Sequence, residues 1–427
     1  MPESKVARLA LPRLLPKLQL NERFLQTRKQ TLALCAPLEA EDFVVQAMPD
    51  CSPVKWHLAH TTWFFEKFVL AHALRDYGPF RKDYDYLFNS YYETVGSFLP
   101  RTKRGLLTRP TVKEIYGYRE IMDQEILKLL SKVIDPAIEA RVELGIHHEQ
   151  QHQELILMDL KNLFSQNPLK PRFVAKPRLS RALPAETLNW ITHEGGLVTA
   201  GAPATPNFTY DCETPRHRSY LKPFRLANRL VTQGEYLEFI LDRGYQRPEL
   251  WLSEGWATVQ AEKWEAPLYW EKTAEHLWNH FTLHGMAPLE FMEPVSHLSY
   301  FEAEAFARWK KMRLPTEIEW EVVAANYPVE GNFVEHKWFR PRAAQLGNPQ
   351  LFGDLWEWTQ SPFLPYPGFK PLAGALGEYN GKFMCNQFVL RGGSYATPIT
   401  HIRPTYRNYF PPHARWQFSG FRLAQDL

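Results

Sequence analysis

Histidine is scarce in this chain, 15 in 427 residues, yet three fall within Gly145–Glu154 (GIHHEQQHQE). The apolar Leu155, Ile156, Leu157 and Leu160 that follow indicate a helix, which sets His148 and His152 at i and i+4 on one face. Two imidazoles one turn apart can hold one metal ion, and His57 and His60 in another helical stretch offer a third ligand. His57 and His60 are three apart on one helix, so periodicity does not choose between them. An H-x-x-x-H pair alone also arises as solvated polar positions; the second cluster is what gives it weight.

The elements that must position these histidines are helical over residues 1–165. Leu18–Leu34 and Glu39–Met48 are amphipathic, and Ser52-Pro53 reads as an N-cap and first-turn proline of a helix running to Leu74. An irregular stretch rich in Tyr, Gly and Arg follows, Arg75–Pro110. Thr111 then precedes a helix over Val112–Lys132, and Pro136–Phe164 forms the last. Four long helices with one long excursion predict an up-and-down bundle, whose core is where facing side chains build metal sites. Four prolines among basic residues in Ser165–Glu186 break any helix and mark a linker across a surface. The expected organisation is a helical domain over 1–165, a linker over 166–186 and a second domain over 187–427. That second domain has short apolar pieces, many Gly, Pro and Trp, and helical runs at Thr232–Asp242 and Tyr300–Lys311, an α+β pattern with much irregular structure.

The length suits two domains, each able to bury a core. A net charge of +3 argues against a nucleic-acid footprint and a polybasic membrane patch. No apolar run reaches the roughly 20 residues of a membrane span. The N-terminus, MPESKVARLALPRLLPKLQL, carries prolines and charges where a signal peptide needs an apolar core, so a cytoplasmic protein is expected. Cys35, Cys51, Cys212 and Cys385 are scattered without a C-x-x-C pair and read as free thiols.

Several phrases are familiar as a set. ETPRHRSYLKPFRLANRLVTQGEY, RLPTEIEWE, FGDLWEWTQSP, VLRGGSY and GFRLA resemble the formylglycine-generating-enzyme/sulfatase-modifying fold, a C-type-lectin-like module, and stand in that family's order from Thr192 to the end. WHLAH (Trp56–His60) and HHEQQHQE (His147–Glu154) resemble the signature of the helical DinB-like domain. Both modules in this order resemble the ergothioneine-biosynthesis sulfoxide synthases of EgtB type, as do NSYYETVG (Asn89–Gly96) and GEYNGKFMCNQ (Gly377–Gln387). The implied fold is multidomain, α and α+β: an N-terminal DinB-like four-helix bundle followed by a C-type-lectin-like domain.

The resemblance implies an Fe(II) enzyme that uses O2 to join a cysteine sulfur to C2 of the imidazole of hercynine, the trimethylated betaine of histidine, and to oxidise that sulfur to a sulfoxide. It maps the iron ligands onto His60, His148 and His152, which leaves His57 and His147 as neighbours and gives Glu154 the task of orienting a ligand imidazole. Three neutral imidazoles suit Fe(II) and keep positions open for substrates and O2. Gln151 matches a glutamine that hydrogen-bonds the hercynine imidazole. Tyr91 and Tyr92 match a pair beside the iron, one of which can supply a proton and an electron. Arg101 and Arg104 could clamp the cysteine carboxylate, and Asp50 could receive its ammonium. TYRNYFPP (Thr405–Pro412) matches the stretch that lies over the hercynine site in the family, where Asn408 would bind the carboxylate or ammonium region of hercynine, while Tyr409 and Phe410 offer ring faces to its trimethylammonium.

The chain departs from the family at one informative point. Relatives that use γ-glutamylcysteine carry an acidic residue where this chain has Phe410, which favours free cysteine as donor. The sulfatase-modifying enzymes' copper-binding cysteine pair has no evident counterpart, which speaks against formylglycine formation. Rival readings are a related C–S or C–Se bond-forming enzyme with γ-glutamylcysteine, ovothiol-type or selenoneine-type chemistry, a Zn-dependent DinB-type thiol transferase, and a non-catalytic lectin-like binding protein. The implied partners are hercynine, cysteine and O2, without nucleic acid or membrane.

Overall fold

The computed structural model describes residues 18–175, 187–203 and 207–427. The expected leader-free N-terminus and most of the expected linker, residues 176–186, lie outside the described residues. Four long helices form the first unit: α1 (Leu20–Cys35), α2 (Val54–Phe65), α5 (Val112–Leu130) and α6 (Pro136–Gln166). Between α2 and α5 the chain passes through a π turn at Glu66–Leu70, the short α3 (Ala71–Ala73), the short α4 (Tyr84–Phe88) and a 3-10 turn at Arg101–Leu106.

Local chemistry sets the ends of these helices. Thr111 and Glu114 close a capping box on α5, and Asp135 caps α6 with Pro136 in its first turn. On α2 the cap is Pro53 itself, with an extended backbone, and the helix begins at Val54, one residue later than Ser52-Pro53 predicts. The helix expected over Glu39–Met48 is replaced by a single 3-10 turn, Ala40–Phe43. Pro49 biases Met48 away from helical backbone, the β-branched Val44-Val45 pair adds little support, and Gln46 spends its side chain on the carbonyls of Cys51 and Arg101.

Every residue of α2 is buried, because α5 and α6 flank it and the excursion covers it. Charge is buried beside it in paired form. Glu149 on α6 accepts from Arg28 Nη1 at 2.7 Å, from Thr31 Oγ1 at 2.6 Å and from Arg119, tying α1, α5 and α6 together. Burial would raise the Glu149 carboxyl, but Arg119 and Arg28 bring it down to about 2.

The second unit is built from small sheets around α7 (Gln233–Leu241), α8 (Ser253–Glu262), α9 (Tyr300–Trp309) and α10 (Glu317–Ala324). Strand Phe224–Ala227 pairs antiparallel with both Trp190–His193 and Ala424–Asp426, which brings the two ends of the unit together. The sheet facing the bundle runs Asn408–Phe410, Phe388–Arg391, Trp356–Pro362, Ser419–Gly420, with the last pairing parallel. The phrases that mark the sequence are the ionic skeleton of this unit. Arg391 of VLRGGSY bonds Glu317 at 2.8 Å and Glu321 at 3.0 Å, both from RLPTEIEWE, and Arg422 of GFRLA pairs with Glu357 of FGDLWEWTQSP. Among the described residues no helix is long and apolar enough to cross a membrane.

Candidate metal centre and substrate cavity

Helix α6 presents His148 and His152 on one face, and α2 presents His60 opposite them. One ring nitrogen from each lies within 4.8 Å of the others, and all three side chains are buried. Gly145 makes this approach possible: a Cβ there would stand 2.5 Å from Cε1 of Phe65, so the absence of a side chain lets α6 seat against α2 one turn before His148.

Three imidazoles are a donor set suited to a divalent cation, and the His60–His148 pair has the spacing for one. His60 Nε2 lies 3.1 Å from His148 Nε2; two nitrogens each about 2.1 Å from one ion and at right angles to one another would be about 3 Å apart. His60 Nδ1–H donates to the Phe88 carbonyl at 2.6 Å, which leaves Nε2 as the electron-pair donor. Burial, followed by the neighbouring imidazoles, holds His60 and His152 well below the ordinary histidine value, and burial takes His148 down to about 3. All three are therefore neutral near pH 7, the form that binds metals.

His57 is turned to other work. Its Nδ1 meets His152 Nδ1 at 2.8 Å and its Nε2 meets Asp159 Oδ2 at 3.1 Å, so both ring nitrogens are engaged. Glu154 does not orient a ligand imidazole, contrary to the sequence expectation. Its carboxylate accepts from Trp356 Nε1 (2.8 Å), Ser394 Oγ (2.6 Å) and Thr397 Oγ1 (2.6 Å), pinning α6 to the second unit. The helical periodicity of α6 sends Glu154 outward to that unit and Asp159 inward to the histidines.

A cavity of about 360 Å³ opens over the triad between the two units, and its wall includes Asp50, Tyr91, Arg101, Arg104, Gln151, Asn408, Tyr409 and Phe410. Tyr92 is the one expected residue that does not reach the wall. It is fully buried behind Tyr91, its ring 4.9 Å from Phe68. Tyr91 lies edge-on to Phe383 at 5.1 Å, and burial pushes its hydroxyl up to about 12. Its loop is clipped to the second unit by Glu378, which accepts from Glu93 N and Thr94 N at 3.0 Å each.

Arg104 is only 3% exposed, and no carboxylate among the described residues bonds it. Its guanidinium lies 3.4 Å over the Trp56 ring and donates to Ser52 Oγ (2.9 Å) and Ser90 Oγ (3.1 Å), while Nε has no partner among the described residues. Burial, then the nearby Arg101, pulls it well below the ordinary arginine value. Arg101 and Asp50 are exposed at the rim.

Gln151 has its amide orientation fixed, because Oε1 accepts from Tyr379 OH at 2.5 Å and Nε2 donates to Tyr406 OH at 2.8 Å. Asn408 Oδ1 accepts from Tyr409 N, and one face of Tyr409 is covered by Phe363 at 4.1 Å, so that ring offers less to a ligand than the sequence suggests. The aromatic wall is wider than expected, with Tyr210, Trp356, Tyr379, Phe383, Tyr406 and Trp416 all lining it. Four of these lie inside the phrases FGDLWEWTQSP, GEYNGKFMCNQ and TYRNYFPP, which was the available signal.

Comparison with known proteins matches both units. Residues 178–427 match the sulfatase-modifying factor enzyme 1-like domain, and residues 23–156 match the DinB superfamily. The hercynine oxygenase of Mycolicibacterium smegmatis is 31% identical across 94% of this chain and 97% of its own length. That of Mycolicibacterium thermoresistibile is 30% identical across 96% and 95%. Ergothioneine biosynthesis protein 1 of Schizosaccharomyces pombe is 26% identical over 51% of this chain and 28% of its own length. With both units matched in order and identity sustained from end to end, this chain belongs to the hercynine oxygenase family.

Proposed function

We propose that the chain is an oxidoreductase that joins the sulfur of free cysteine to C2 of the hercynine imidazole and oxidises it to the sulfoxide, a step of ergothioneine biosynthesis, with Fe(II) held by His60, His148 and His152 and O2 as oxidant. The observation that carries this is a buried triad of neutral imidazoles at the floor of an aromatic cavity. In that reaction an imidazole C–H and a cysteine S–H are lost while a C–S and an S–O bond form. One atom of O2 goes to sulfur and the other leaves as water, with two electrons from C–S coupling and two from sulfur oxidation. His60, His148 and His152 would hold the iron, which when bound would supply the means to activate O2 beside the thiol and the imidazole.

The side chains have separable tasks. Arg104, a buried cation that no carboxylate among the described residues bonds, receives the cysteine carboxylate, with Arg101 and Asp50 at the rim for the remaining charges. Gln151, preset by Tyr379 and Tyr406, orients the hercynine imidazole. Asn408 takes its polar end, and the ring faces around Phe410 and Trp416 suit a trimethylammonium. Tyr91, not Tyr92, holds the exchangeable proton over the centre, because it is the member of the pair on the cavity wall. Phe410 puts no carboxylate on its side of the cavity, which favours cysteine over γ-glutamylcysteine. Four free cysteines accord with a reducing, cytoplasmic setting.

The test is His60→Ala beside wild type, with Fe(II) content and product formation measured on each. Loss of both in the variant is expected. Retention of both would remove His60 from the ligand set and return the question to His57.

A further inference from the structure

Behind His152 the chain carries a second layer of hydrogen bonds that the reading above leaves unused. Asp159 Oδ2 accepts from the backbone N–H of Ser52 at 2.8 Å and lies 3.1 Å from His57 Nε2. His57 Nδ1 in turn lies 2.8 Å from His152 Nδ1. Asp159, His57 and His152 are all buried, at the inner end of the cavity wall.

The direction of the bonds follows from what each group can do. An ionised carboxylate only accepts, so His57 Nε2 is the protonated nitrogen. With its one ring hydrogen at Nε2, His57 has its lone pair on Nδ1, and the 2.8 Å contact then has His152 Nδ1 as the donor. His152 is left with its lone pair on Nε2, toward His60 and His148. Reversing the first bond reverses them all and puts an N–H where a ligand lone pair is needed.

We propose that Asp159, acting through His57, is a positioning residue that fixes the tautomer of His152 and so sets the affinity of the triad for its metal without touching the ion. This rests on the metal reading given above. Carboxylates that orient a ligand imidazole directly are worth roughly 10- to 100-fold in metal affinity, and here the same effect is relayed across one more ring. The placement is specific: Asp159 follows His152 by seven residues on α6, two turns along the same face, while Ser52 N–H and His57 reach it from the start of α2.

The experiment compares wild type, Asp159→Leu and Asp159→Asn as metal-free full-length proteins, titrated anaerobically with Fe(II). The leucine side chain offers no acceptor, so Fe(II) binding by Asp159→Leu weakens by roughly 10-fold or more. The asparagine side chain retains a carbonyl oxygen that can accept from Ser52 and His57, so Asp159→Asn recovers most of the wild-type affinity. Should the leucine variant fail to fold, nitrogen-15 NMR of metal-free wild type reads the tautomer directly, with His152 expected to be protonated at Nδ1. Equal Fe(II) affinity in all three proteins, or His152 protonated at Nε2, overturns the relay. A wild type that takes up no Fe(II) but has His152 protonated at Nδ1 instead overturns the metal reading beneath it.

Discussion

Arg104→Met separates binding from stability, because the two are expected to move in opposite directions. In the folded protein Arg104 is a buried cation stacked on Trp56, bonded to two serine hydroxyls and, among the described residues, to no carboxylate. Replacing a poorly compensated buried charge by an apolar side chain of similar volume is neutral or stabilising by roughly 1–4 kcal/mol. The lost bonds to Ser52 and Ser90 offset part of that gain, so a net gain of about 1 kcal/mol is expected for the metal-free protein. The same change removes the partner assigned to the cysteine carboxylate. A charge-assisted hydrogen bond contributes roughly 1.5–3 kcal/mol, and about 1.4 kcal/mol is tenfold, so the KM for cysteine should rise roughly 10- to 100-fold. Urea unfolding gives the first quantity, and initial rates of product formation against cysteine concentration give the second. A variant that unfolds earlier with an unchanged KM would refute the reasoning and make Arg104 a packing residue.

Two further substitutions probe the joint between the units. Lys161 lies 2.7 Å from His297 Nε2, and burial lowers it from 10.5 to about 7. The unfolded chain therefore binds the extra proton between pH 7 and about 10.5, and wild-type stability should rise across that window by up to roughly 1.4 kcal/mol per pH unit. Lys161→Met lacks this slope, so its stability relative to wild type should be greatest at or below pH 7 and shrink toward pH 10; a gap in urea midpoints that stays constant with pH refutes this. Glu154→Ala strips the acceptor from Trp356, Ser394 and Thr397 and should cost roughly 3 kcal/mol by urea unfolding. A cost under about 0.5 kcal/mol would show that the carboxylate does not hold the units together.

What could be read from the sequence, and what could not, follows the range of the interactions involved. His148 and His152 were legible because one helical turn is a local property, and the ends of α5 and α6 because Thr111, Asp135 and Pro136 act on their own neighbours. Glu39–Met48 misled because its apolar pattern suits a helix, while Pro49 and the side-chain bonds of Gln46 decide otherwise. The choice of His60 over His57 needed the rotation of α2 against α6, which is set by packing around Gly145 and Phe65. Glu154 stands two residues after His152 and so on another face of α6, whereas Asp159, seven residues on, shares the stripe of His152 and has the spacing that the orienting role needs. The aromatic walls come from loops, where no period carries information and only the motif phrases mark them. Tyr91 and Tyr92 could not be told apart because a loop residue's orientation depends on what clips the loop, here Glu378 from almost 300 residues away.

The most direct measurement is reconstitution of the metal-free protein with Fe(II) under anaerobic conditions, followed by O2 uptake and product mass with hercynine plus either cysteine or γ-glutamylcysteine. One O2 consumed per hercynyl-cysteine sulfoxide, formed from free cysteine in preference, is the predicted result. No O2 uptake with either thiol would contradict the account and point to a zinc-dependent transferase or a binding protein built on the same two units.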